Sequence, residues 1–270
     1  MQQERALLLA QLSDLHVMPK GELAYGRVDT AAMLRDAIAH VNRLDPQPDV
    51  VLLTGDLADN GKREAYAHMR EILAELRAPY YVIPGNHDRH DEFRRAFADQ
   101  PYLPTTGPFI QFAIETLPLR MVALDSVVPG RTRGNLCDER LAWLDRTLAQ
   151  RPDVPTLVMM HHAPFVTGLP HFDDVGMEGI DALERVIERH RQVERVLCGH
   201  VHRATQIRFG GTIASSCPST AHQVALDLRP DGMDSFTLEP AGFQLHRWTG
   251  RTLFTHTLSV GRFEGPFPFH

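Results

Sequence analysis

Five short stretches of the 270-residue chain carry side chains suited to chemistry: Asp14-Leu15-His16, Gly55-Asp56, Gly85-Asn86-His87-Asp88, His161-His162 and Gly199-His200-Val201-His202. Each follows an apolar run of strand length, at 6–12, 50–53, 80–83, 156–160 and 193–198. Singly, each has a plain explanation: a capping aspartate, a polar turn, or a core histidine bonded to a backbone carbonyl. Five in succession, always at the carboxyl end of a strand, point instead to one shared site. Its donors are imidazoles (His16, His161, His200, His202), carboxylates (Asp14, Asp56) and an amide oxygen (Asn86). Mixed nitrogen and oxygen donors suit zinc, iron, manganese or cobalt rather than the all-oxygen preference of calcium and magnesium. The set exceeds what one tetrahedral zinc takes and fits two divalent ions sharing a carboxylate. Residues two apart on an extended chain face the same way, so Asp14 with His16, and His200 with His202, are each expected to reach a common point. Gly85 is expected to permit a turn that a β-carbon would resist. Two divalent ions carry four positive charges against three from Asp14, Asp56 and a bridging hydroxide. The surplus of one matches the single charge of a phosphodiester.

The elements that must position these residues follow from periodicity. Between the first three apolar runs lie two amphipathic stretches, 29–44 with Asp29 and Thr30 as natural caps and Pro46 and Pro48 beyond its end, and 63–76 with Tyr66, Met69, Ile72, Leu73 and Leu76 on one side. The first 90 residues therefore read strand–helix–strand–helix–strand, which predicts an α/β sheet with parallel segments and a site at the strand ends. A short helix is expected at 91–98, strands at 109–114 and 119–124 (the second ending in Asp125-Ser126), a helix at 138–150, a loop at 165–179 and a helix at 180–190. From 204 onward the texture changes to short alternating runs at 205–209, 212–215, 222–228, 242–248 and 251–260, which predict antiparallel sheet. The aromatic tail 263–269 is expected to pack as extended chain on this molecule or on a neighbour.

Composition sets bounds on function. Hydrophobic content of 43% and charged content of 23% describe a globular chain with a packed core. A net charge of −6 argues against a dedicated nucleic-acid or anionic-membrane surface. Three widely spaced cysteines, Cys137, Cys198 and Cys217, suit a reducing compartment, no apolar run approaches the roughly 20 residues of a membrane span, and the 6–10 run is too short for a signal-peptide core, so a cytoplasmic location is expected. Fifteen histidines are an excess. Of these, His40, His68, His90 and His190 lie in polar, helix-like stretches and are expected to be solvated.

The ordered series Asp14-x-His16, Gly55-Asp56, Gly85-Asn86-His87-Asp88, His161 and Gly199-His200-x-His202 resembles the calcineurin-like metallophosphoesterases. Tyr25-Gly26, 160–164, 219–224 and Gly265-Pro266 resemble, within them, a bacterial branch of glycerophosphodiesterases and class III cyclic-nucleotide phosphodiesterases. The resemblance implies a single domain over 1–270 with a four-layer α/β/β/α sandwich, in which 204–270 extends the second sheet and makes oligomer contacts. It implies that Asp14, His16 and His202 hold one metal, that Asn86, His161 and His200 hold the other, and that Asp56 bridges. His87 would stabilise charge in the transition state and Asp88 would support it, so that His87, Asp56 and Asp88 form the catalytic group. Asn86, His87, His222 and Ser126 would face the substrate, and His162 would be structural. The implied activity is hydrolysis of small glycerophosphodiester-like diesters by in-line attack of a metal-bridging hydroxide. The alternatives are 3′,5′-cyclic nucleotides, a broad phosphomonoesterase, or a scaffold of the same fold without catalysis. The implied assembly is a homo-oligomer, a dimer or larger.

Overall fold

The computed structural model describes residues 6–269. Its first half runs β1 (Leu7–Leu12), α1 (Thr30–Val41), β2 (Val50–Thr54), α2 (Arg63–Leu73), β3 (Tyr80–Ile83), α3 (His90–Ala96), β4 (Phe112–Ile114), β5 (Arg120–Ala123), β6 (Gly134–Asn135) and α4 (Asp138–Ala149). The second half runs β7 (Thr156–Met159), α5 (Pro170–Val175), β8 (Met177–Glu178), α6 (Ile180–Arg189), β9 (Val193–Cys198), β10 (Gln206–Phe209), β11 (Thr212–Ser216), β12 (Gln223–Val224), β13 (Phe236–Thr237), β14 (Gly242–Trp248) and β15 (Leu253–Ser259). Two sheets carry the fold, in the orders β15-β14-β1-β2-β3 and β10-β11-β9-β7-β5-β4. The ligand-bearing strands are parallel neighbours within each, β1-β2-β3 and β7-β9. Their carboxyl ends therefore meet at one edge of the molecule.

The layers are legible in which residues share a core. In the second sheet Met121, Ala123, Leu157, Met159 and Leu197 join one apolar cluster with Leu9, Leu52 and Val82 of the first sheet. The alternate residues Val122, Val158, Met160, Val196 and Cys198 join a second cluster with Leu141 and Leu144 of α4 and Leu183 and Ile187 of α6. Period-two alternation thus sends one face of the sheet to its partner sheet and the other to helices. The first cluster also takes Leu34 and Ile38 of α1, Met69 and Ile72 of α2, and Phe93 of α3. The result is an α/β/β/α sandwich. Helix α1 starts where Asp29 Oδ1 accepts from the Ala32 N–H at 2.9 Å, as its capping residue predicts.

Several expectations are corrected. The 165–179 segment holds a helical turn, α5, and the short β8, and the run at 222–228 reduces to the two-residue β12. The C-terminal extension serves both sheets rather than the second alone: β10 and β11 extend one, and β14 and β15 the other, with β11 parallel to β9. His68, His90 and His190 are not solvated. His68 Nδ1 bonds Met18 O at 2.9 Å, His90 Nε2 lies 3.2 Å from Asp125, and His190 Nε2 bonds Asp145 at 2.7 Å. His40 packs edge-on against the Phe243 ring. The tail does not pack on this molecule: Phe263 and Phe267 are each 69% exposed and Phe269 is 99% exposed. Among the described residues no helix is long and apolar enough to cross a membrane.

Strand β1 sits between β14 and β2 with all six residues buried. Leu9→Ala, at its fully buried centre, is expected to cost about 2–5 kcal/mol, read as a lowered denaturant midpoint with an unchanged slope.

Candidate metal centre

Five of the seven proposed ligands leave their strands by an unusual backbone. Asp14, His16, Asp56, His200 and His202 all have positive φ, between 46° and 69°. Such conformations cost on the order of 1–3 kcal/mol each outside glycine and gather at functional sites. Asp14 and His16 do converge, both on His202 Nε2, but through left-handed turns rather than along an extended chain, while His200 joins Asp56 and His161 in a different donor group from His202. The glycines before the ligands are required by space. A β-carbon on Gly85 would overlap the Asp56 backbone N and carboxylate, one on Gly55 would overlap the His161 ring, and one on Gly199 would overlap Ser13 Oγ. Gly85 has no positive φ, so its role is to let two ligand loops touch, not to make the turn.

Hydrogen bonds then aim the rings. His161 Nδ1 faces Thr54 O at 2.9 Å and His202 Nδ1 faces His222 O at 2.9 Å. A carbonyl oxygen can only accept, so both Nδ1 atoms carry the proton and Nε2 is left for a metal. His16 Nδ1 is 3.0 Å from the Asp59 carboxylate, which imposes the same tautomer. The freed atoms crowd together. His16 Nε2 lies 3.1 Å from His202 Nε2, and His161 Nε2 lies 3.0 Å from Asn86 Oδ1. Asp56 Oδ2 stands 3.6 Å from His16 Nε2 and 3.4 Å from His161 Nε2, and Asp14 Oδ1 is 3.5 Å from His202 Nε2. Neutral nitrogens and oxygens facing one another at these distances repel unless positive charge lies between them. A proton can serve one such pair, whereas a divalent ion serves several donors at once. Among the described residues three groups could hold an ion: His16–His202–His222, His16–Asp56–His87 and Asp56–His161–His200. The donor set fits metal, and Asp56 belongs to groups on both sides.

The charges agree with this geometry. Burial, with His16 next to it, holds the His202 ring down to about 3, so it is neutral and ready to ligate. Burial would lower His161 too, but the Asp56 carboxylate outweighs it and lifts the ring to about 9. Loading a cation beside His161 therefore displaces a proton. Burial pushes Asp56 up, and His161 and His87 overcome it to hold the carboxyl well below its usual range.

Above the ligands opens a cavity of about 340 Å³. One wall is Tyr25, His222 and Phe236, with ring centroids 4.8–5.1 Å apart, and the other is Phe172 and Val175. The His171–Asp234 pair, 3.1 Å apart, joins α5 to the segment before β13 at its rim. Among the described residues no lysine or arginine lines this cavity. His87, Asn86 and His222 line it, in keeping with their expected facing of substrate.

Two expected members do not reach it. Ser126 is buried and its Oγ donates to His162 Nδ1 at 2.8 Å, while His162 Nε2 donates to Thr132 O at 3.0 Å, a structural pair. Asp88, expected in the catalytic group, is buried beneath the loops, where it accepts from the N–H groups of Gly85, Leu57 and Ala58 and from the Tyr66 hydroxyl. It locks the Asp56 and Asn86 loops together and touches no cavity atom. Asp59 is the residue the sequence reading missed. Its carboxylate orients His16, and its carbonyl takes His87 Nδ1–H at 2.6 Å. Its place three residues after Asp56 on the same ligand loop was the available signal.

Comparison with known proteins agrees with this geometry. Residues 7–204 match the family described as calcineurin-like phosphoesterase. Over 266 residues the chain is 40% identical to a probable glycerophosphodiester phosphodiesterase, GpdQ, of Arcobacter nitrofigilis, covering 98% of this chain and 97% of that one. It is 36% identical over 266 residues to a probable cyclic nucleotide phosphodiesterase of Rhodopseudomonas palustris, covering 96% and 94%. A purple acid phosphatase from yellow lupin seeds shares the fold with a TM-score of 0.69 at 15% identity, over 96% of this chain and 52% of that one. With the family's match spanning most of its length and every ligand motif in place, this chain belongs to the calcineurin-like phosphoesterases.

Proposed function

We propose that the chain is a metal-dependent phosphodiesterase acting on small diesters of the glycerophosphodiester kind. The observation that carries this is the convergence of ligands from both sheets around Asp56, whose Oδ2 lies between His16 and His161. Asp14, His16 and His202 would hold one ion, and Asn86, His161 and His200 the other, with iron, manganese, zinc or cobalt as candidates. When bound, two such ions supply Lewis acidity and a water activated for attack on phosphorus at neutral pH. With no lysine or arginine among the described residues that line the cavity, bound ions would be the main source of positive charge for a phosphate anion there.

The remaining work falls to the chain's own side chains. His87 gives Nδ1–H to Asp59 O and so presents only Nε2 to the cavity. From there Nε2 faces the phosphoryl group where charge develops in the transition state. Its backbone N–H holds Asp56 Oδ1 at 2.8 Å, which leaves Oδ2 for the bridge. The wall of Tyr25, His222 and Phe236 excludes water beside the ester and shapes the site for the alcohol. That aromatic wall also favours a second reading, a 3′,5′-cyclic nucleotide whose base lies against it, in line with the Rhodopseudomonas palustris relative's name.

In protein reconstituted with divalent metal, Asp56→Ala and His161→Ala are each expected to abolish turnover of bis(p-nitrophenyl) phosphate; retained turnover would refute the assignment. A panel of glycerophosphodiesters, cyclic nucleotides and monoesters, ranked by kcat/KM, is expected to place the glycerophosphodiesters first. Asp59→Ala is expected to weaken metal binding by about 10–100-fold, measured by calorimetric titration, with the fold retained in circular dichroism. The exposed phenylalanines of the tail support self-association. Deleting residues 261–270 is expected to lower the mass found by light scattering.

A further inference from the structure

Between the two sheets runs a file of polar side chains that the chemistry above does not use. Gln11 of β1 and His246 of β14 are both fully buried. The Gln11 amide donates to Thr54 Oγ1 and to Cys198 O, each at 3.0 Å. Its Oε1 lies 3.1 Å from His246 Nε2, and His246 Nδ1 lies 2.8 Å from Thr255 Oγ1, which takes Arg195 Nη1. An amide oxygen can only accept, so His246 Nε2 carries the proton and Nδ1 accepts from Thr255. All bonds then point one way, from Arg195 through Thr255, His246 and Gln11 to Thr54 and Cys198. Burial, with Arg195 behind it, holds His246 down to about 3, so the ring stays neutral and the direction is fixed.

The file ends where the ligands begin. Gln11 precedes Asp14 by three residues, and Thr54 and Cys198 precede Asp56 and His200 by two. Thr54 O is also the acceptor that orients His161. Asp14, His16, Asp56 and Asn86 come from the first sheet, while His161, His200 and His202 come from the second. The spacing of the donors is therefore the spacing of the sheets. Apolar packing alone holds that distance loosely, since aliphatic side chains slide with little penalty, whereas the file bonds one sheet to the other at two points, from the Gln11 amide to Cys198 O and from Arg195 Nη1 to Thr255 Oγ1, with His246 linking the two within the first sheet. Replacing a buried polar group and its partner by apolar side chains is often close to neutral for stability, so stability alone does not account for this file.

We propose that Gln11 and His246 are positioning residues that clamp the two sheets at the spacing the metal centre requires. This rests on the reading of the converged donors as a metal site. The test uses Gln11→Met/His246→Phe in the full chain, with Mn²⁺ as the probe, reading thermal unfolding of the metal-free protein, calorimetric Mn²⁺ affinity, and the spin-coupled electron paramagnetic resonance signal of paired ions. The expected result is little change in unfolding, an Mn²⁺ affinity lower by about tenfold or more, and loss of the coupled signal. His246→Gln as a single variant, which keeps a donor to the native Gln11, is expected to retain the affinity and signal that the double variant loses. Unchanged affinity and coupling in the double variant, or their loss in His246→Gln, would overturn the clamp. If the double variant does not fold, His246→Phe alone carries the same expectations, because it removes the donor that orients the Gln11 amide towards Cys198 O and cuts the file from its second crossing at Thr255 and Arg195. Failure of the unsubstituted protein to bind Mn²⁺ would overturn the metal reading itself, and the clamp with it.

Discussion

One carboxylate oxygen organises this molecule. Asp56 Oδ2 is shared between a nitrogen delivered by the first sheet and a nitrogen delivered by the second. Holding it there requires three glycines without side chains, left-handed backbone at five donors, and a buried Asp88 that ties the Asp56 and Asn86 loops to one another. Parallel strands are what make this possible. They bring several chain reversals to one edge, where short loops project donors into a common volume. The helices and the apolar clusters serve mainly to keep that edge in register.

Much of this was legible in the chain. The seven donors stand out because polar residues follow apolar runs at five places, a local signal that survives without any structure. The same logic produced its errors. Ser126 follows a strand like the true donors do, but its side chain turns inward to His162. His68 and His190 have polar sequence neighbours, yet helix faces bury them against Met18 and Asp145. The cavity walls were not legible at all. Tyr25, Phe172 and Phe236 come from segments far apart in sequence, and no spacing relates them. Asp88, expected beside His87 in the catalytic group, has its carboxylate turned beneath the loops to backbone N–H groups and the Tyr66 hydroxyl, because adjacency in sequence carries no information about which way a side chain points.

The division of labour among the buried polar groups follows from what each can exchange. Three of the imidazole donors, His16, His161 and His202, have one nitrogen committed to the protein and one turned to the site, so their orientation is set before any ligand arrives. Asn86 offers an uncharged oxygen and makes no comparable commitment, which leaves it the most replaceable donor in the set. The two aspartates accept backbone N–H groups, Asp14 from His200 and Asp56 from His87, and thereby stitch one ligand loop to another. Specificity is arranged differently, by rings and an ion pair at a rim built from less regular chain.

The left-handed donors carry a consequence for the protein's fate in a cell. Their strained backbone is tolerable when bound ions favour the folded state, and ligands that bind only that state add to its stability by mass action. Without them the same strain and the same crowded lone pairs remain, unrelieved. Metal shortage would then do more than leave the protein idle. It would shorten its lifetime, so that abundance, and not only activity, tracks the supply of metal.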